Sequence, residues 1–334
     1  MQHRNFAALE RNVSEIGLGC WQIGGNWGPV ADETAMEILR AAGACGVNFL
    51  DTADVYGDGR SERLVGDYLR ELGDDARHIT VATKLGRRGD PADPANVSFE
   101  QLAAYTDRSL DNLGVDCIDL SQLHCIDTSL LRDGGCFDAL RRLRDDGKIR
   151  AFGASVESME QAAICMEHDD LASLQIIFNL FRQKPIASIF DEAQSRGVAL
   201  IVRLPLASGL LTGKIRKDTR FTGDDHRHFN ANGEAFNVGE TFAGLPIDVG
   251  VDAADAMRPL LSEACGDSVT MAQASLRWIL DHPAVTTVIA GASRVDQVRD
   301  NAAASGLAAL PNSSHAALRE VYETKVRPHI RGPY

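Results

Sequence analysis

Eight short apolar runs recur along this chain, each six or seven residues long and most rich in Val, Ile or Leu: SEIGLGC (14–20), NFLDTA (48–53), ITVATK (79–84), IDLSQLH (118–124), AFGASV (151–156), SLQIIFN (173–179), ALIVRLP (199–205) and TTVIAG (286–291). Runs of this length and composition suit strands covered on both faces. Longer amphipathic segments lie between nearly all of them. Strand and helix in alternation, eight times over, predict an α/β chain closed as a (β/α)₈ TIM barrel. An open doubly wound sheet is the alternative, but it usually carries GxGxxG after an early strand, and that motif is absent.

The helical segments place apolar residues on one face. In ETAMEILRAAGACG these are Ala35, Ile38, Leu39 and Ala42, and in SERLVGDYLREL they are Leu64, Tyr68 and Leu69. SFEQLAAYTDRSLDNLG opens on a capping serine, Ser98, and stops at Gly114. Two features break the rhythm. Residues 212–251 form a long loop after strand seven, rich enough in Gly, Asn and aromatic residues to suggest a lid. The tail adds one more amphipathic helix, near 315–324.

No linker or shift in composition divides the sequence, so residues 1–334 are expected to form one barrel domain. Its 34 basic and 47 acidic residues leave a net charge of −13, which argues against a nucleic-acid surface. No apolar stretch is long enough to span a bilayer, and the first residues lack a secretory signal. The seven cysteines are an odd number without CxxC and read as reduced thiols, so a cytoplasmic location is expected.

Active sites of such barrels form at the C-terminal ends of the strands. Strand two ends at Asp51, strand three at Lys84 and strand four at His124, with Tyr56 a few residues past Asp51. A lone His, Asp or Lys at a strand end is more often structural than catalytic. Three on successive strands, beside a tyrosine, favour mutual pairing, because burying each alone is costly. An ammonium lowers the pKa of a neighbouring phenol, a carboxylate keeps that ammonium charged, and an imidazole can hold a substrate oxygen. Together these parts suit protonation of a carbonyl oxygen as hydride reaches its carbon.

The segments GLGCWQIGG, NFLDTADVYGDGRSE, VATKLG, DLSQLHC, FGASV, PLASGLLTGK and VIAGASRVDQVRDN, in this order and spacing, resemble the aldo-keto reductase superfamily over nearly the whole chain. The likeness is to the longer branch that includes bacterial reductases and potassium-channel β subunits. It implies NAD(P)H-dependent, reversible reduction of an aldehyde or ketone to an alcohol, with Asp51, Tyr56, Lys84 and His124 as the catalytic set and Tyr56 as proton donor. It implies a nicotinamide contact from Ser155 and Gln175, pyrophosphate contacts from Leu206, Ser208 and Lys214, and an adenosine end at Gly291, Ser293, Arg294, Gln297 and Asn301. Arg203 stands where many members have an aromatic residue stacked on the nicotinamide, and Gly291 and Gln297 stand where some have Lys and Arg. NADP is the expected cofactor, held through Ser293 and Arg294, with NAD possible. A nicotinamide-sensing regulatory subunit with little turnover is the alternative function.

Trp21, Trp27 and Cys125 are expected to line the substrate pocket, and Phe178 either lines it or packs in the core. The DDHRH stretch (224–228) reads as polar lid rather than metal ligands, since no further ligand cluster accompanies it.

Overall fold

The computed structural model describes residues 1–25 and 30–334. Its first element is a hairpin that the strand pattern did not reveal, β1 (His3–Phe6) paired antiparallel with β2 (Arg11–Ser14). Then come the barrel strands β3 (Ile16–Gly19), β4 (Phe49–Asp51), β5 (Thr80–Leu85), β6 (Ile118–His124), β7 (Ile149–Ser155), β8 (Ser173–Ile177), β9 (Ala199–Arg203) and β10 (Val285–Gly291). All eight are parallel, and β10 closes the ring against β3. Each expected strand exists, within a few residues of its sequence bounds.

Side-chain alternation sorts the strands into two cores. Phe49, Ala82, Leu120, Ala151, Ala199, Ile201 and Ile289 pack inside the barrel. Their neighbours Leu50, Val81, Leu123 and Leu200 point outward, into the layer beneath the helices. Phe6 and Val13 of the hairpin join the inner cluster, and Phe6 stacks on Phe49 at 6.4 Å. Because β2 runs directly into the start of β3, this plug closes the N-terminal end of the barrel. Small residues such as Ala82 and Ala151 fill the layer above, leaving room for large polar side chains at the opposite mouth.

The helices follow their sequence pattern. Ala35, Ile38, Leu39 and Ala42 are buried on Asp32–Ala44, as are Leu64, Tyr68 and Leu69 on Arg60–Leu72. Ser98 accepts a hydrogen bond from the Gln101 N–H, and Gly114 ends that helix in the left-handed region. The tail helix spans Asn312–Val321 and continues as a wider turn to Val326.

The segment after β9 is less of an open loop than its composition suggests. It holds a short helix, His226–Phe229, and tight turns at Val238–Glu240 and Phe242–Gly244 before a long helix starts at Ile247. Two arginines tie it down: Arg182 Nε donates to Ala243 O and Arg331 Nε to Gly244 O, each at 2.9 Å. Among the described residues no helix is long and apolar enough to cross a membrane.

Candidate active site

A cavity of about 710 Å³ opens at the C-terminal mouth of the barrel. Asp51 ends β4, Lys84 lies on the inner face of β5 and His124 ends β6, so three neighbouring strands deliver them to one floor. Lys84 Nζ donates to Asp51 Oδ1 at 2.5 Å, to Thr52 O at 2.7 Å and to the Tyr56 hydroxyl at 3.4 Å. Gln175 Nε2 and Gln122 Nε2 donate to Asp51 Oδ2 at 2.7 and 3.4 Å, so the carboxylate is fully engaged.

Tyr56 is carried over this floor by a tight turn. Gly57 has φ +59°, and a Cβ there would lie 2.2 Å from the Gly24 carbonyl oxygen, so only glycine permits the approach. Trp21 stacks on the Tyr56 ring at 6.0 Å, and His124 meets it edge-on at 5.8 Å. Ser61 and Glu62 begin the next helix as expected, but both are buried. Ser61 binds Thr52 and the Cys20 carbonyl, and Glu62 accepts from Thr83 Oγ1 at 2.6 Å.

Burial alone would favour a neutral Lys84; the attraction of Asp51 and Tyr56 outweighs it and raises the ammonium pKa above its ordinary value. Burial also raises the Asp51 carboxyl, opposed by Lys84 and by the Gln175 and Gln122 amides. Burial raises the Tyr56 pKa; Lys84 opposes that rise without reversing it, which corrects the expectation of a net lowered phenol. His124 is held well below the usual histidine range by burial and by Arg87, Lys84 and Arg203, so its imidazole is neutral.

The side chains around His124 include a charged group that the sequence reading missed. Arg87 Nη1 lies 3.2 Å from Glu240 Oε1, and Arg203 Nη1 lies 3.2 Å from the same oxygen. Burial raises the carboxyl of Glu157, with Glu240 adding to it, to about 7; Glu240, although buried, is pulled by the two guanidiniums down to about 2. Cys125, Glu157 and Glu240 offer ligand atoms within 4.8 Å of one another, but the cation among them is Arg203, whose Nη2 also donates to Cys125 Sγ at 3.5 Å. Arg87 directly follows the VATKLG motif and could have been noticed there. Glu240 had no local signal, because it reaches the site from the segment after β9.

Most of the expected site residues meet at this cavity. Trp21, Asp51, Tyr56, His124, Gln175 and Arg203 line it near the barrel axis. Leu206, Ser208, Lys214, Gly291, Ser293, Arg294, Gln297 and Asn301 line its extension. Three residues lie behind the wall instead. Lys84 is fully buried, Ser155 Oγ bonds Gln175 Oε1 at 3.4 Å, and Cys125 packs against Ser155 and Arg203 rather than lining the cavity. Phe178 is core, packed on Phe190 and Trp278. Trp27 lies outside the described residues. DDHRH supplies a helix cap, with Asp225 accepting from the Arg227 N–H and side chain.

The extension fits a phosphate-bearing dinucleotide. Lys214 lines it and has no ion-pair partner among the described residues. Leu204, Ala207 and Ser208 hold positive φ of 52°, 48° and 55°, the kind of backbone strain that clusters at ligand clamps. The helix Val295–Ala303 starts at the far end, just after Ser293 and Arg294, and its N-terminus favours negative charge.

Asp54, in the turn between Asp51 and Tyr56, is buried and neither carboxylate oxygen has a hydrogen bond among the described residues. Burial, with Glu62 nearby, raises its carboxyl to about 7. Below that value the folded chain retains a proton that the unfolded chain releases down to about pH 4, so this group favours folding more as pH falls from 8 toward 4. Asp54→Asn should therefore raise stability by on the order of 3 kcal/mol at pH 8 and by much less near pH 4. Thermal melts across that range check it; a gain independent of pH would contradict it.

An eight-stranded parallel barrel with this lysine-centred cluster at its mouth defines a class of enzyme scaffold, and comparison with known proteins gives the family. The profile of the Aldo/keto reductase family matches residues 15–323. The chain belongs to that family. It is 31% identical to Aldo-keto reductase YhdN of Bacillus subtilis over 302 residues, covering 89% of this chain and 87% of that one. It is 29% identical to a probable voltage-gated potassium channel subunit beta of Arabidopsis thaliana, covering 90% of each. A solved glycerol dehydrogenase from Gluconobacter oxydans superposes with a TM-score of 0.77 at 29% identity, covering 99% of this chain and 98% of that one. Both relatives fall in the branch that the sequence motifs indicated. The family generally binds a nicotinamide cofactor, and its membership supports oxidoreductase activity on carbonyls.

Proposed function

We propose that the chain reversibly reduces a small aldehyde or ketone to an alcohol, with NADP(H) as its cofactor and Tyr56 as its proton donor. The observation that carries this reading is Lys84 Nζ, buried between Asp51 Oδ1 at 2.5 Å and the Tyr56 hydroxyl at 3.4 Å on the cavity floor. A bound nicotinamide supplies the hydride in reduction and accepts it in oxidation.

The residues contribute in sequence. Neutral His124 and the Tyr56 hydroxyl hold the carbonyl oxygen. As negative charge develops there, the Tyr56 O–H proton moves to it and the Lys84 ammonium stabilises the phenolate left behind. A phenol raised by burial keeps its proton until the substrate oxygen becomes basic, which suits an acid that acts only in the transition state. Asp51 keeps Lys84 charged throughout, with Gln175 and Gln122 fixing the carboxylate. Ser208, Lys214, Ser293, Arg294, Gln297 and Asn301 would hold the phosphates and adenosine, while Gln175, braced from behind by Ser155, would meet the nicotinamide end.

For NADP(H), the Arg294 guanidinium would turn from Asp296, which it now meets at 3.1 Å, toward a 2′-phosphate. Arg294→Ala should accordingly raise KM for NADPH about tenfold while changing KM for NADH little. Equal effects on both cofactors would contradict this role. The activity itself is tested by mixing the protein with NADPH and 4-nitrobenzaldehyde and following loss of the reduced-nicotinamide band near about 340 nm. Absence of turnover with NADPH and NADH across a panel of aldehydes and ketones would sink the reading. The channel-subunit relative motivates a second one, a nicotinamide-sensing protein with little turnover, and that result would favour it.

A further inference from the structure

Arg87 lines the cavity two residues after β5, and its side chain is only 21% exposed. It is held in place from two sides. Its Nη1 donates to Glu240 Oε1 at 3.2 Å, and its guanidinium carbon lies 5.4 Å from the centre of the Phe236 ring. The same Nη1 lies 3.5 Å from His124 Nε2; in the tautomer with its proton on Nε2, the two nitrogens are neighbouring donors rather than partners. Among the described residues, no hydrogen bond involves its Nε or Nη2. A mostly buried planar fork thus keeps unused donors beside the imidazole that faces the reacting carbonyl.

Such an arrangement is costly in a pocket that receives only hydrocarbon, because half-buried donors without acceptors forfeit their hydration. The charge around it points the same way. Arg87 and Arg203 share one carboxylate oxygen of Glu240, and the Nε of Arg203 is also buried with no partner among the described residues. Glu157, the other carboxyl in this cluster, does not supply a full second negative charge at neutral pH, because its carboxyl is raised to about 7.

We infer that Arg87 is a specificity-determining residue that selects carbonyl substrates bearing an acceptor oxygen on the carbon next to the reacting carbonyl. The inference rests on the carbonyl-reductase reading above. A carbonyl oxygen held by His124 Nε2 sits one hydrogen bond from that nitrogen, and Arg87 Nη1 is 3.5 Å from it. Oxygens on neighbouring carbons are separated by about the same span as these two donors. The second oxygen therefore falls at the guanidinium, which can receive it as an oxo, hydroxyl or carboxylate group. Glu240 and Phe236 hold the fork in place before substrate arrives.

The test compares kcat/KM at saturating cofactor for pairs differing in that oxygen: methylglyoxal against propanal, and hydroxyacetone against acetone, with pyruvate for the carboxylate. Each is measured for wild type, Arg87→Met and Arg87→Lys. The oxygenated member of a pair can be intrinsically more reactive, so the readout is the change in its ratio between wild type and variants. In Arg87→Met the ratio should fall by about tenfold or more, carried by KM of the oxygenated member, whatever the variant's absolute rates. Arg87→Lys, which keeps charge but loses the fork, should lie between. The pair with the largest change identifies which oxygen is recognised. A ratio unchanged in Arg87→Met, or both members lowered equally, overturns the inference while leaving the reductase reading standing. No wild-type turnover of any of these carbonyls overturns both.

Discussion

Tyr56→Phe should lower kcat by about three to four orders of magnitude while leaving the cofactor dissociation constant within a few-fold of wild type. The substitution removes one oxygen atom and keeps the ring, so the stack on Trp21 at 6.0 Å and the edge contact with His124 survive. What disappears is the O–H that delivers the proton, and with it the hydroxyl that Lys84 contacts at 3.4 Å. Lys84 keeps its bonds to Asp51 and Thr52, so no buried charge is stranded and the fold should hold. Cofactor binding followed by quenching of tryptophan fluorescence, beside steady-state rates, separates the two effects. A kcat within tenfold of wild type would remove Tyr56 from its assigned role.

Lys84→Met should be the more damaging change, because it affects folding as well as turnover. Lys84 is fully buried, and its ammonium is the cation nearest Asp51. Without it, a carboxyl buried at the centre of the barrel retains, among the described residues, only the Gln175 and Gln122 amides. Breaking a buried ion pair from one side costs about 3–5 kcal/mol. Asp51→Asn together with Lys84→Met should recover part of that loss, since no uncompensated charge remains. Denaturant melts of both single variants and the double variant measure the coupling. A double variant whose destabilisation equals the sum of the singles would show that the pair is not coupled in this way. Neither Lys84 variant should regain turnover, because the phenolate formed at Tyr56 loses its stabilising charge.

The barrel was legible because its signal is repeated. Eight apolar runs and the helical faces between them each agree with the same architecture, and the alternation that sets Lys84 and Ala82 on one inner face follows directly from strand geometry. The cluster at Asp51, Tyr56, Lys84 and His124 was equally visible, since each residue lies at or just beyond a strand end. What stayed hidden depends on contacts distant in sequence. The hairpin that plugs the barrel bottom has few residues and little alternation. Glu240 meets Arg203 across 37 positions and Arg87 across 153, so nothing near any of the three announces the network. Cys125 follows His124 in the chain, yet its backbone takes φ +53° and its sulfur turns toward Arg203, behind the cavity wall. The net effect of Lys84 on Tyr56 likewise required knowing how deeply the phenol is buried.

In the proposed reaction this cavity joins hydride from a nicotinamide to a carbonyl carbon. Turnover of 4-nitrobenzaldehyde with NADPH deuterated at both C4 positions, followed by mass spectrometry of the product, tests it most directly. The expected product is 4-nitrobenzyl alcohol carrying one deuterium on its carbinol carbon, formed by wild type and nearly absent with Tyr56→Phe. Alcohol without deuterium, or no alcohol while the labelled cofactor is bound, would contradict it.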